Sequence, residues 1–405
     1  MGMLRRCRTG RKARIAIHAT AIVFLSLLAG CSLNDNFSAY RSVNLISSQN
    51  FSVSGSWTPD DTTGTYMGFS AVPAASAGSL TGLPTADQNS IYCLEIKNLM
   101  PDGDFSPDSA GTTPANWSPQ GAQSASASVS VTNAGINGNS LAISIGFSTD
   151  CRVSYALSAA TALVAGPIVT NATYRLQYDF EVTGSSTLPS SYDNGTTASI
   201  FWPTSASGSG VQSFPLTTSS TPEISGISAP SYLSFGNLPG AAGETPSILL
   251  DNIRIVRTDI PLELRLNVPY HDSTGARPDL ISGDYQFTIY VKMDPTNTLT
   301  GTSPQANRFP ATAVSIGVNH AENGTISNNG APSVHYSTGT DAVNNWNTWT
   351  PITCDAGVIQ ISPPAHPSDS VLQLYVSPTD LVNVLNGPTA GSILVAGPQL
   401  QMVNP

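Results

Sequence analysis

Few residues in this chain have types and spacings suited to chemistry. Of the five cysteines, Cys31, Cys93, Cys151 and Cys354 follow the N-terminal segment, and none sits in a CxxC or Cys/His spacing that would hold zinc. Cys93 and Cys151 flank the first half of the chain and are the pair available for a disulfide, which would leave Cys354 a buried thiol; spacing alone leaves that pairing open. His271, His320, His335 and His366 lie in polar, loop-like contexts, and His320 with Glu322 lacks a third metal ligand. There is no G-x-S-x-G elbow, HExxH or phosphate-binding loop. A glycosidase needs two carboxylates about 5 to 9.5 Å apart, and no pair here sits in a recognisable signature. These residues point away from an enzyme.

The N-terminus is more informative. Arg5, Arg6, Arg8, Arg11, Lys12 and Arg14 precede an apolar stretch over 15–29. A basic region followed by a short apolar one is an export signal. The stretch falls short of the roughly 18 residues a spanning helix needs. Leu28-Ala29-Gly30-Cys31 then resembles the lipobox of bacterial lipoproteins. The resemblance implies cleavage after residue 30 and acylation of Cys31, which becomes the first residue of the mature chain. More than one acyl chain gives stable membrane attachment. Ser32 stands where an Asp would favour inner-membrane retention, so the resemblance points to the outer membrane.

Six of the 16 basic residues and none of the 26 acidic ones lie in residues 1–30, leaving ten against 26 and a net charge of −16 for the remaining 375 residues. Such a surface disfavours nucleic acid and anionic headgroups as partners. Only 10% of residues are charged, and the chain carries 34 Gly and 30 Pro. Ser, Thr and Asn take over the polar positions and compete with helix for the backbone.

Such a chain must position its residues on strands. Tyr174, Leu176, Tyr178, Phe180 and Val182 alternate with polar residues, as one buried and one wet face requires. Leu141, Ile143, Ile145 and Phe147 alternate similarly, as do Leu262 to Val268, Val314 to Val318 and Leu372 to Val376. Ser90 to Ile96 is a further strand. Ser377 to Gly387 is the one good helix candidate, with a capping Ser377, Pro378 in the first turn and a closing Gly387. An internal repeat is visible: the strand from Tyr174 parallels that from Tyr285, and Ser247-Ile248-Leu249-Leu250 parallels Ser392-Ile393-Leu394-Val395. The expected organisation is an all-β chain: signal 1–30, anchor and tether 31–95 with strands that complete the first sandwich, a first sandwich at 96–257 and a second at 258–405.

Residues 98–105, Asn98-Leu99-Met100-Pro101-Asp102-Gly103-Asp104-Phe105, resemble the opening "N-L-hydrophobic-x-N-G-x-F-E" of carbohydrate-binding modules of the family 4/9/22 type. Trp117, Gly138-Asn139-Ser140-Leu141, the Tyr174 strand and Leu249-Leu250-Asp251-Asn252-Ile253-Arg254-Ile255 follow in the family's order. The second half resembles it less completely: it has the Tyr285 strand and Trp349 but neither the opening nor the closing Asp. The resemblance implies two tandem jelly-roll β-sandwiches of the galactose-binding-like class, the second degenerate or shortened.

The same resemblance implies a structural calcium between the opening turn and the last strand, with Asp104 and Asp251 as ligands and Asp102 and Asp108 nearby. The family's Glu after the Phe is Ser106 here, and a plain turn role for Asp102 and Asp104 is the other reading. Such modules hold sugars on exposed aromatics. Trp202, after a Gly/Ser/Thr loop, and Tyr192, in Ser191-Tyr192-Asp193-Asn194-Gly195, are the stacking candidates, while Trp117, Trp346, Trp349, Tyr174 and Tyr178 read as core or rim. The expected function is non-catalytic binding of polysaccharide by a lipid-anchored envelope protein. The alternatives are a structural or adhesive surface lipoprotein and, third, an envelope glycan-active enzyme.

Overall fold

A computed structural model describes residues 44–46, 51, 57–101, 103–136, 138–167, 169, 172–185, 190–193, 198–201, 211–213, 232–239, 243–275, 277–293, 313–322, 325–327, 333–336, 346–361, 371–379 and 391–404. Among them are strands, three short 3-10 turns and no α-helix. The strands run β1 (Trp57–Pro59), β2 (Met67–Val72) and β3 (Ile91–Ile96); then β4 (Trp117–Gln120), β5 (Ala127–Thr132), β6 (Ser140–Ile145), β7 (Cys151–Ala156), β8 (Tyr174–Thr183), β9 (Ser190–Asp193), β10 (Ala198–Phe201), β11 (Val211–Ser213), β12 (Tyr232–Asn237) and β13 (Ser247–Arg257). They continue as β14 (Leu264–Pro269), β15 (Gly283–Met293), β16 (Ala313–Glu322), β17 (Thr325–Ser327), β18 (Ser333–Tyr336), β19 (Thr350–Ile359), β20 (Val371–Ser377) and β21 (Gly391–Asn404).

These strands build four antiparallel sheets and two sandwiches. One sandwich pairs β4-β7-β12-β9-β10 with β5-β6-β13-β8-β11. The other pairs β1-β14-β20-β16-β17 with β2-β3-β21-β15-β19, with β18 on the far side of β16. The two orders are the same jelly roll: β1, β2, β3 and β14 stand where β4, β5, β6 and β7 stand, and β20 and β21 match β12 and β13. The first sandwich is therefore inserted into the second, between its third and fourth strands. We call them the inserted and host sandwiches.

This corrects two expectations. The strands within 31–95 do not complete the first sandwich: Trp57 pairs with Leu266, and Leu94 with Ile393. The second sandwich is not shortened; its opening lies ahead of the insertion. Alternation along the sequence reports which face of a strand is buried but not which distant strand it joins.

Both sandwiches close with the same latch. Asn98 Oδ1 accepts from the amides of Met100 (3.1 Å) and Ile255 (2.9 Å), and its Nδ2 donates to Ile253 O (2.9 Å). Asn44 Oδ1 accepts from Ile46 (3.2 Å) and Leu400 (3.0 Å), and its Nδ2 donates to Pro398 O (3.0 Å). Each latched strand bends at a left-handed residue, Asn252 (φ 49°) or Gly397 (φ 55°). The openings share their order and the step from Asn to Phe: Asn44-Leu45-Ile46 and Phe51 against Asn98-Leu99-Met100 and Phe105, with Trp57-Thr58-Pro59 and Trp117-Ser118-Pro119 following after links of different length. Two tyrosines repeat a further device. The Tyr174 hydroxyl accepts from Val169 N (3.0 Å), and that of Tyr285 accepts from Ile281 N (3.2 Å) and donates to Ile281 O (2.6 Å).

The cores follow the alternation. Tyr174, Leu176, Tyr178, Phe180 and Val182 are buried with Leu141, Ile143 and Phe235 in the inserted sandwich. Tyr285, Phe287, Ile289 and Val291 are buried with Leu264, Val318 and Leu374 in the host. Where the chain crosses between them, Tyr66 packs against both cores, and its hydroxyl accepts from Arg257 (2.9 Å), which pairs with Asp259 (2.7 Å).

Three local expectations fail. Cys93 and Cys151 form no disulfide: Cys93 is buried on β3 of the host and Cys151 on β7 of the inserted sandwich, in separate cores, and Cys354 is a buried thiol in the host. Phe147 does not continue β6; Gly146 N donates to Ser126 O (2.7 Å), the strand ends, and Phe147 is 42% exposed. Ser377 caps no helix but ends β20, donating to Leu262 O (2.8 Å); residues 380–387 lie outside the described residues.

Candidate sugar-binding face

Strand alternation that buries one face leaves the other to solvent, and the wet face of β19-β15-β21 is rich in side-chain amides and hydroxyls. Antiparallel register places Asp355, Gln286 and Gln401 side by side in one row. Thr353, Thr288 and Gln399 form the next row, and Pro351, Tyr290 and Ala396 the third. Rows two residues apart are separated by roughly 6.6–6.8 Å and strands by about 4.8 Å. Gln286 Nε2 donates to Asp355 Oδ1 (2.6 Å), and the Thr288 and Thr353 hydroxyls share a hydrogen bond (3.0 Å). These contacts fix the orientation of the lattice. Gln286, Thr288, Thr353, Gln399 and Gln401 are half-buried and Asp355 is exposed.

The lattice is bounded on one side. The β2–β3 connection folds over the neighbouring part of this face, where Ala77 and Leu83 pack on Cys93, Leu394 and Trp349. Lys292, whose pKa burial lowers, pins that connection by donating to Ala77 O (2.7 Å) and Ser79 O (2.8 Å). Tyr290 packs half-buried against this cover, so the amide rows end at an aromatic ring. Donors and acceptors beside an aromatic ring are what a sugar needs: amides serve neighbouring hydroxyls, and a ring covers the apolar face of a pyranose.

The corresponding face of the inserted sandwich is ionic. Arg175, Gln177 and Asp179 of β8 stand beside Val256, Arg254 and Asp251 of β13. Asn252 Nδ2 donates to Asp179 Oδ2 (2.6 Å), and burial lowers the Arg254 pKa to about 10 against the opposing pull of Asp179. The other sheet of that sandwich carries Ser118, Ser154 and Ser234 in one register row, with Ser154 and Ser234 buried and hydrogen-bonded (2.8 Å).

The expected site residues are placed as follows. Asp104 Oδ1 accepts from the amide (3.2 Å) and hydroxyl (3.0 Å) of Ser106, a turn. Asp251 is buried on β13, where its Oδ1 accepts from Asn252 N (2.8 Å). The opening does meet the last strand, through Ile253 N donating to Gly103 O (2.8 Å), but among the described residues no group of three or more His, Cys, Asp or Glu is placed to hold a metal. Asp102, Trp202 and Cys31 lie outside the described residues. Tyr192 pairs with Leu233 in β9, and its side chain lies outside them too. Trp117, Trp346 and Trp349 are buried, as are Tyr174 and Tyr178. The lattice was missed although its signal was present: Gln286 and Thr288 are the polar half of the alternation whose apolar half named the Tyr285 strand.

The strand order defines the class of this protein: a pair of nested jelly-roll β-sandwiches. No protein-family model and no curated protein matches the sequence. Among solved structures the chain is similar to the N-terminal CBM22-1–CBM22-2 tandem domain of Xyn10C from Paenibacillus barcinonensis, at 9% identity and a TM-score of 0.19, over 73% of this chain and 96% of that one. It is similar to the major capsid protein P2 of bacteriophage PM2, at 11% identity and TM-score 0.16, over 68% and 97%. It is similar to N-glycanase F, at 10% identity and TM-score 0.14, over 69% and 100%. Likeness at this level speaks to none of their ligands.

Proposed function

We propose that this protein is a lipid-anchored envelope protein that binds glycan without cleaving it. The observation that supports binding is the host lattice of Gln286, Thr288, Gln399, Gln401, Thr353 and Asp355 ending at Tyr290. Its rows repeat in two directions, which suits a polysaccharide laid across strands. The acidic balance of the exported chain turns away anionic polymers and favours neutral ones. The anchor reading rests on residues 1–31. With Cys31 acylated, only residues 32–43 separate the lipid from the Asn44 latch, a reach of at most about 45 Å fully extended. The tether is thus far shorter than residues 31–95 suggested.

The test is a glycan array with the full exported chain, repeated for Gln286→Ala/Gln399→Ala and for Tyr290→Ala. Binding of a neutral glycan that both variants weaken supports the reading; binding to none overturns it. For the anchor, Cys31→Ser should move the protein from membranes to the soluble fraction.

A further inference from the structure

The cover over the host's polar face carries a carboxylate that no other side chain answers. Asp87 ends the short 3-10 turn Thr85–Asp87 in the β2–β3 connection and is 9% exposed. Its backbone is bonded, with Asp87 N donating to Pro84 O (2.9 Å) and Asp87 O accepting from Ser90 N (3.0 Å). Its side chain has no hydrogen-bond or ion-pair partner among the described residues, and burial raises its pKa with no cation to offset the rise. Neither carboxylate oxygen is sealed from solvent. The group lies over the bend of β21: a Cβ at Gly397 would stand 2.8 Å from Asp87 Oδ2 and 3.1 Å from Tyr290 Cδ2. Gln401 and Gln399 lead along β21 to that bend, so the carboxylate stands beside Tyr290 where the amide column ends.

The same place in the inserted sandwich is closed. Asp179 pairs with Asp251, which precedes the bend at Asn252, as Tyr290 pairs with Ala396, which precedes the bend at Gly397. There the Asn252 side chain donates to Asp179 Oδ2 (2.6 Å). In the host the bend residue has no side chain, and the carboxylate arrives from the cover instead. The bend of the last strand thus meets a carboxylate in both sandwiches, but only in the host is the internal donor missing. Lys292, the one cation on the three lattice strands, is turned onto Ala77 O and Ser79 O. A desolvated carboxylate without donors is costly, and hydroxyl donors from a ligand offset that cost. An ionised carboxyl only accepts, through two oxygens, and so matches two neighbouring hydroxyls of a sugar ring that covers Tyr290.

We propose that Asp87 anchors the ligand of the lattice, accepting two adjacent hydroxyls of the sugar unit that stacks on Tyr290. This rests on the glycan reading and narrows it to neutral sugars with a free vicinal pair at that position. The test is isothermal titration of the full exported chain with cellohexaose, mannohexaose and xylohexaose, whose internal units keep two adjacent hydroxyls free, and with laminarihexaose, whose internal units keep no adjacent pair. At least one of the first three should bind, and laminarihexaose more weakly. Asp87→Asn and Asp87→Ala should each weaken that binding about tenfold or more, and Asp87→Ala should erase the preference over laminarihexaose. Because the carboxylate makes no internal bond, neither variant should lower the melting transition of the host. Binding lost in Gln286→Ala/Gln399→Ala but kept in both Asp87 variants overturns the role of Asp87 and leaves the lattice standing. Laminarihexaose binding as tight as the others overturns it too, as does a host transition lowered by Asp87→Asn, which would make the carboxylate structural. Binding of none of the four also overturns it, and the glycan array decides the lattice by itself.

Discussion

Replacing Asn98 by Ala removes the latch of the inserted sandwich and nothing else of comparable weight. The side chain is 5% exposed and makes three hydrogen bonds, from Met100 N and Ile255 N and to Ile253 O. Met100 and Ile255 are buried, so water does not replace the lost acceptor freely. A buried polar group left unpaired costs about 1–3 kcal/mol, and partial relaxation brings the expected total to about 3–5 kcal/mol. For a unit of this size 1 kcal/mol moves the midpoint by about 2–4 °C, which gives a fall of about 6–20 °C. Differential scanning calorimetry of the full chain measures it. The two separate cores predict two transitions. Asn98→Ala should lower that of the inserted sandwich, and Asn44→Ala that of the host. Asn98→Asp, which keeps the acceptor, should cost less than Asn98→Ala. A fall below about 2 °C, or equal movement of both transitions by either variant, would refute the latch as the device that closes each unit.

Gly103→Ala should destabilise the same sandwich by about 2 kcal/mol or more, since its Cβ would stand 2.0 Å from Ile253 O; urea denaturation reads it. Hydrogen bonding from Arg257 holds the Asp259 pKa below the usual carboxylate range, so the pair stabilises above about pH 4 and that contribution is lost as pH falls through the lowered value. The melting difference between the native chain and Asp259→Asn should therefore vanish in acid, and a difference that persists there would contradict it. Denatured, unreduced mature protein should take up three alkyl groups, at Cys93, Cys151 and Cys354, in mass spectrometry; a single addition would mean a disulfide.

Much of the fold was legible. Tyr174 and Tyr285, read as starts of equivalent strands, lie at the first residue of β8 and the third of β15, which hold the same place in their sheets. Ser247-Leu250 opens β13, and Ser392-Val395 follows the first residue of β21. The nesting was not legible, because alternation encodes which face is wet and not which strand lies beside it. Yet the host's opening was written in Asn44-Leu45-Ile46, Phe51 and Trp57-Thr58-Pro59, and an expected tether hid it. The site was less legible. A lattice across β19, β15 and β21 draws on residues more than a hundred positions apart, and only register brings Asp355, Gln286 and Gln401 into one row.

Nesting also sets a schedule. The host's third strand has β2 on one edge, but its other edge pairs Ile96 with Gly391 and stays open until nearly the whole chain is available. The inserted sandwich comes from one contiguous stretch and can form first. When its latch joins Leu99 to Ile255, it brings the two halves of the host together at Tyr66 and Arg257. Each halving of a closing loop relieves only about 0.6 kcal/mol, so the benefit lies less in final stability than in the order of events. The inserted unit acts as a folding jig for its host, and damage to it should appear first as slow maturation of a sandwich it does not belong to.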